Sequence, residues 1–231
     1  MAHGKKYNSV KEKVSVEKQY ALEEAIQFLK DNPTAGFDET FELALRMGVD
    51  PTKSDQAIRS TVALPNGTGK DVRVIVFATG DAAEAARSAG AADVGFEDLI
   101  EKVKNGWMDF DVVIATPDAM KEVRKIARVL GPRGLMPNPK TGTVTDDIGN
   151  AVTQFKAGRV EFRMDRNANI MLPFGKRSFT VEALAENFRA AYDAILAAKP
   201  DSVKGIYIKR VTIATTMGPG LHVDVKETAA A

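Results

Sequence analysis

Pro65-Asn66-Gly67-Thr68-Gly69-Lys70-Asp71-Val72-Arg73-Val74-Ile75-Val76-Phe77-Ala78 is the stretch on which the fold turns. Its opening five residues set Pro and two Gly around Asn and Thr, a composition that ends any regular element. Its closing seven form a near-continuous apolar run, which suits a strand covered on both faces. Upstream the pattern is different. Phe37, Glu39, Phe41, Leu43 and Leu45 alternate with Asp38, Thr40, Glu42, Ala44 and Arg46, so residues 37–46 read as a strand with one face in water. Ile58, Ser60, Val62 and Leu64 against Arg59, Thr61 and Ala63 read as a second such strand.

Downstream of Ala78, strands and helices take turns. Thr79-Gly80-Asp81 opens an Ala-rich helix to about Ala89, with Asp81 as N-cap. A short strand near Val94, a helix over 97–105 and a buried strand over 111–115 follow. Thr116-Pro117 is a cap with Pro at the first helical position and predicts a helix to about Arg128. A brief strand at Thr143-Val144 and a helix over 146–156 complete a small parallel α/β unit. At Ala157-Gly158 the alternating pattern returns. Val160, Phe162 and Met164, a turn at Arg166–Asn169, then Ile170, Leu172 and Phe174 predict two strands. A helix over 179–199, a strand over 206–215 and a short strand at Val223–Val225 end the chain. The amino-terminal helix is expected over 20–30, preceded by a lysine-rich arm over 1–20 that reads either as a solvated segment or as an RNA-touching one.

The fold class expected is therefore α/β and α+β in two domains. Residues 1–67 plus 159–231 form a discontinuous α+β domain, and residues 68–158 form an inserted α/β domain. Two adjacent Gly-containing crossings, at Gly67, Gly69 and Gly158, make a natural hinge.

The 231 residues give either domain room for a core. Apolar content of 44% and charged content of 27% are ordinary for a soluble globular protein. There are no cysteines, so structural disulfides and Cys-based zinc sites are excluded, and no run approaches the roughly 18 apolar residues of a membrane span. The basic start, Met-Ala-His-Gly-Lys-Lys-Tyr, lacks the apolar segment of a secretory signal, so a cytoplasmic protein is expected. Net charge is only +1, which argues against coating nucleic acid by bulk field; any RNA binding rests on a local patch and on shape.

Catalytic constellations are missing. The two histidines, His3 and His222, have no metal-ligand neighbour at useful spacing. Asp109/Asp111 and Asp146/Asp147 sit where strand ends and helix caps favour short acids. The first strand-to-helix turn of the insert, Ala78-Thr79-Gly80-Asp81, offers one Gly and an acid, unfavourable for a phosphate. Gly131 to Val144 holds six Gly or Pro in fourteen residues, with Arg133 and Lys140 among them. It reads as an ordered connector or as a phosphate cradle, but it matches neither the P-loop nor the dinucleotide fingerprint. No cofactor is expected.

Binding is the better prospect. Thr215-Thr216-Met217-Gly218-Pro219-Gly220 ends a strand with hydroxyls, a thioether and three helix breakers. It is a simple turn or an RNA-contacting one, in which small residues admit the backbone and Met lies against a ribose or base. Phe37 is either core or an exposed stacking platform. Thr40 falls on the opposite face of a flat strand, so a surface shared with Phe37 requires a twist or bulge. Lys53, Arg59 and Lys176 are individually unremarkable charges.

Leu130-Gly-Pro-Arg-Gly-Leu-Met-Pro-Asn-Pro139 resembles a motif of the bacterial large-subunit ribosomal protein L1 family. Phe37-Asp38-Glu39-Thr40, Gly48-Val49-Asp50-Pro51 and Ser54-Asp55-Gln56 are similar to its first domain, as are Gly106–Asp111 and Ala115–Asp118 to its inserted domain. Lys156–Arg163 is similar to its return crossing, and Thr216-Met217-Gly218-Pro219 to its closing turn. The matches are separate, in order, and span essentially the whole chain. The resemblance implies a Rossmann-like insert without nucleotide, and a structural protein that binds 23S rRNA at the mobile stalk of the large ribosomal subunit. It further implies release of deacylated tRNA from the exit site, repression of the protein's own operon mRNA, no membrane, and a monomer when free. Phe37, Thr40, Thr216, Met217 and Gly218 become the central RNA surface, with Lys53, Arg59 and Lys176 as phosphate contacts. Two positions depart from the family: Gly36, where some relatives carry a basic residue, and Arg210, where a small polar one is common. The competing expectation is a two-lobed α/β protein that closes on a nucleotide or small ligand.

Overall fold

The computed structural model describes residues 4–15 and 18–224. His3 and Val225, both read above, lie outside the described residues. The chain divides into two compact units. One is made of the residues up to Gly69 together with those from Val160 onward, and the other is Lys70–Arg159. They are called the terminal and the inserted unit below.

The terminal unit begins with α1 (Lys5–Lys11), so the basic arm is in part a helix, anchored by its buried Val10. Next comes α2 (Leu22–Asp31), whose Leu22, Ala25, Ile26 and Leu29 recur at helical spacing and are buried. β1 (Thr40–Met47) follows, with Phe41, Leu43, Leu45 and Met47 buried in strict alternation. β2 (Arg59–Ala63) ends at the turn before the crossing.

The inserted unit runs β3 (Val74–Phe77), α3 (Asp81–Ser88), β4 (Asp93–Gly95), α4 (Glu97–Lys104), β5 (Val112–Ala115), α5 (Met120–Val123), α6 (Ala127–Leu130) and α7 (Ile148–Lys156). Its strands lie in the order β4-β3-β5, all parallel, and Val144 adds a parallel bridge to Ala115. The period of two sorts the central strand between two cores. Val74 and Val76 pack with Ala83, Ala86, Val152 and Phe155 of α3 and α7, while Ile75 and Phe77 pack with Leu99, Val103, Val123 and Leu130 on the other side. This double covering is why Val74–Phe77 has no polar position.

Three local expectations fail here. Asp81 is the first helical residue and not the cap: Gly80 occupies the cap with φ 60° and no side chain to offer. The helix expected through Arg128 is broken, because Ile126 leaves the helical region (φ −101°, ψ 10°) between α5 and α6. Pro117 is not the first helical residue either: α5 starts at Met120 with Ala119 as its cap, and the Thr116 hydroxyl accepts from Ala119 N at 3.3 Å in the turn before it.

The chain re-enters the terminal unit with β6 (Arg159–Arg163), β7 (Asn169–Lys176), α8 (Val181–Ala197), β8 (Ile208–Thr215) and β9 (Leu221–His222). β7, β1, β8 and β9 form one antiparallel sheet in that order, and β2 pairs with β6 in a second. The two strands flanking residues 166–169 thus share only the Met164–Ile170 bridge and then part. Asp165 closes that turn by accepting from Asn167 N and Asn169 N, and Ala168, at φ 59°, turns its carbonyl to accept from Met47 N. The core is an aromatic row, Phe41–Phe174–Phe188–Tyr192, with successive ring centroids 5.7, 5.9 and 6.2 Å apart. α8 lies against this sheet, opened by Thr180, whose hydroxyl accepts from Ala183 N at 3.2 Å.

Candidate nucleic-acid interface

The end of the four-stranded sheet where β1 begins and β8 stops gathers most of the residues singled out above. Antiparallel register sets Thr40 opposite Lys176 of β7 and Phe41 opposite Thr215 of β8, so residues 176 and 216, forty apart in sequence, flank Thr40. Lys176 Nζ donates to Thr40 Oγ1 at 2.8 Å, and Thr40 N donates to Thr216 Oγ1 at 2.9 Å. The hydroxyl of Thr216 lies 3.4 Å from the Thr40 carbonyl as well.

Beyond Thr216 the chain reverses, with Gly218 N donating to Thr215 O at 3.0 Å. A Cβ on Gly218 would sit 2.3 Å from Thr215 Oγ1, and Thr215 is buried, so only glycine fits this turn. Met217 stands at its tip, 57% exposed.

Glu39 joins the turn to the segment before β1. Its side chain is fully buried; Oε1 accepts from Thr34 Oγ1 at 2.9 Å and from Met217 N at 3.2 Å, while Oε2 has no partner. On the other side Asp38 accepts from Ser178 N and Ser178 Oγ, and Glu39 O accepts from Arg177 N. Residues 38–40 are thereby tied to both neighbouring strands. Glu39 holds the core-facing parity of Phe41 and Leu43, so the alternation did mark it, as an acid where an apolar residue was due. Neither it nor Asp38 was singled out from the sequence as a site residue.

Phe37 lies three residues outside β1, which starts at Thr40 and not at residue 37. Leaving the strand frees it from the alternation, and the ring is 54% exposed instead of joining the core. The one bulge in the pairing of β1 with β7, between Phe41 and Glu42, lies beyond Thr40 and so does not relate Phe37 to Thr40; it is the strand's start at Thr40 that releases Phe37. An exposed aromatic and an exposed thioether therefore flank the buried Glu39. That combination can stack on bases or riboses.

The other cations are elsewhere. Lys53 is exposed in the loop after β1, at the opposite end of that strand from Thr40, a separation of roughly 23 Å for eight residues. Arg59 opens β2, and its Nε donates to Glu161 Oε1 at 2.6 Å in a half-buried ion pair. Arg210 pairs across from Arg46 on the exposed sheet face, and Gly36 has open space around it. Burial, aided by the Arg210 charge, lowers the pKa of His222 below the ordinary imidazole range.

In the inserted unit, Gly131–Val144 is an internally satisfied connector. Asn138 O accepts from Thr141 N and Thr143 N, Asn138 Oδ1 accepts from Lys140 N at 2.8 Å, and Thr143 Oγ1 accepts from Asn138 N. Thr141 and Thr143 are buried. Among the described residues no group of three or more His, Cys, Asp or Glu is placed to hold a metal ion, and no helix is long and apolar enough to cross a membrane.

Comparison with known proteins adds an independent line. Residues 29–219 match the model of the ribosomal protein L1p/L10e family. The chain is 54% identical over 224 residues to the large ribosomal subunit protein uL1 of Cutibacterium acnes, covering 97% of each chain. It is 56% identical to the protein of that name from Mycobacteroides abscessus over 96% of this chain and 94% of the relative, and 56% identical to that of Thermosipho africanus over 96% of both.

Proposed function

The chain belongs to the ribosomal protein L1p/L10e family, and from that premise we propose how its two units divide the work. Membership makes it a structural protein of the large ribosomal subunit, an RNA-binding component of cytoplasmic translation and not an enzyme. In our reading the terminal unit binds 23S rRNA at the mobile stalk. The surface is Phe37, Thr40, Thr216, Met217 and Gly218, with Lys176 beside it. The same surface binds the protein's own operon mRNA and represses its translation. The inserted unit, residues 68–158 in this division, assists release of deacylated tRNA from the exit site. Of the expected hinge glycines, Gly67 and Gly69 are packed within the terminal unit, so the pivot lies in the chain just past Gly69 and at Gly158, and the free protein is a monomer.

The observation that carries this reading is the pinned edge of the sheet. Glu39 holds the Met217 turn against the Phe37 segment, so two exposed apolar side chains are presented on a rigid frame in place of a diffuse basic patch. With a net charge of +1, recognition has to come from such shape-specific contacts. Lys53 and Arg59 belong to this surface only as outlying phosphate contacts, reached by an RNA that runs along the length of β1.

The test is capture of total cellular RNA on the full chain at near-physiological salt with excess tRNA as competitor, followed by sequencing. Enrichment of one short large-subunit rRNA segment, together with the leader of the protein's own operon, is the expected result. Capture of no RNA above a neutral control protein would reject the reading.

A further inference from the structure

Gly69 lies where the chain leaves the terminal unit, and it is packed there. With φ at 69°, an added Cβ would fall 2.8 Å from Lys176 Cγ and 3.0 Å from the Phe179 ring. The lysine atom it would strike is near the base of the side chain, so the whole Lys176 side chain would have to move. Phe179 leaves little room for that: its N donates to Lys176 O, and its carbonyl accepts from Lys30 Nζ. Lys176 in turn donates to Thr40 Oγ1, and Thr40 N donates to Thr216 Oγ1. An unbroken series of contacts, all within the terminal unit, therefore runs from the crossing glycine to the turn that presents Met217.

Just ahead of Gly69 the crossing is held as well. Asn66 N donates to Asn187 Oδ1 at 3.0 Å, and Asn187 Nδ2 donates to Gly67 O at 2.9 Å. The backbone at residues 66–69 is thus set against α8 and β7, and Gly69 keeps its place over Lys176.

We infer that Gly69 is a positioning residue for the RNA surface: the crossing packs on the Lys176 stem and so sets the Lys176–Thr40–Thr216 hydrogen bonds that shape the binding edge. The inference rests on the RNA-binding reading above, and it makes the crossing and the binding surface parts of one device. A change of backbone at residue 69 reaches the RNA surface without any contact between Gly69 and RNA.

The experiment compares the full chain with Gly69→Ala, Lys176→Met and the double variant, and with Met217→Asp as a control on the surface itself. Affinity is measured for a transcript of the large-subunit rRNA segment captured by the unmodified protein, and amide exchange is followed at Thr40. Lys176→Met keeps the stem and removes the donor without touching the crossing; it also removes the charge expected to meet a phosphate, so its reading of the coupling is the Thr40 exchange and not affinity alone. Each single variant is expected to weaken binding by about tenfold, the worth of one net hydrogen bond, and to speed exchange of the Thr40 amide while the amides of Leu43 and Leu45 stay protected. The double variant is expected to bind no worse than either single one, because both changes break the same series. If Gly69→Ala binds normally and leaves Thr40 exchange unchanged while Met217→Asp abolishes binding, the coupling is wrong and the RNA surface stands. Additive losses in the double variant would also overturn the coupling. If Met217→Asp binds as well as the unmodified chain, the surface itself is misplaced and the coupling falls with it.

Discussion

Asn187 makes three hydrogen bonds from a fully buried side chain, to Asn66 N, Gly67 O and Phe174 O. An amide has the right inventory for this position, since its oxygen accepts while its nitrogen donates twice. Asn187→Ala would strip a partner from two backbone carbonyls and one N–H at a stroke. A loss of about 2–4 kcal/mol is expected for the terminal unit, at the upper end because several buried groups are orphaned together. Chemical denaturation followed at the terminal unit measures it, and a loss below about 1 kcal/mol would show that water replaces these bonds. The helical period does set this residue on the buried stripe, three after Leu184 and four before Ala191, so a polar residue there is visible as an exception, but the backbone groups it bonds are not. Glu39 is the same kind of exception, standing on the buried parity of β1. Its role as the clasp on Met217 depends on a residue 178 positions away, and no local pattern carries that information. At the same scale Gly218→Ala is expected to displace the Met217 turn, since the new methyl group would meet Thr215 Oγ1. A reduced RNA affinity with little change in melting temperature checks it.

At the scale of elements, alternation and near-continuous apolar runs separated the two kinds of strand correctly, since β1 has one covered face and β3 has two. The pairing of strands was less legible. A turn at residues 166–169 reads as a hairpin, yet β7 pairs with β1, a strand of equal length whose buried alternation matches its own, and β6 goes to β2. Asp165 makes that divergence possible by closing the turn. The N–H of Asn169, against an opposing cost of burial and helped by the Asn169 side chain, the N–H of Asn167 and the Arg46 charge, holds the Asp165 carboxyl below the ordinary aspartate range. A depressed folded-state pKa stabilises the fold above the unfolded value of about 4, and this contribution fades as pH falls through the folded value. Stability of the terminal unit is therefore expected to decline below about pH 4 by an amount that Asp165→Asn removes, as measured by denaturation at pH 7 and pH 3. Equal pH dependence in the two proteins would contradict it. Phe37 marks the other failure of element-level reading. Its parity is that of the core, and it is exposed because the strand begins three residues later.

For the whole molecule, the switch in hydrophobic pattern at both crossings made the organisation of the chain readable, although the structure divides at Gly69/Lys70 and Arg159/Val160 and the expected boundaries fall a residue or two earlier. Function was legible mainly through several ordered motifs acting together, since no single one carries a recognisable chemistry. Balanced charge has a consequence at this scale: few phosphates are neutralised, so RNA affinity is expected to fall only gently with salt. A slope in log affinity against log salt of about −2 to −4 would correspond to a few phosphate contacts, against far steeper values for proteins that coat nucleic acid. The central claim is that the edge of the terminal unit formed by the Phe37 segment and the Met217 turn recognises rRNA by shape. It is tested most directly by titrating the captured large-subunit rRNA segment against the full chain and its Met217→Asp variant at the same salt, with the melting temperature of both recorded. The account predicts that the exposed substitution leaves melting unchanged and weakens binding at least a hundredfold, about 2.7 kcal/mol. Equal affinity in the two proteins, with both folded, would contradict it.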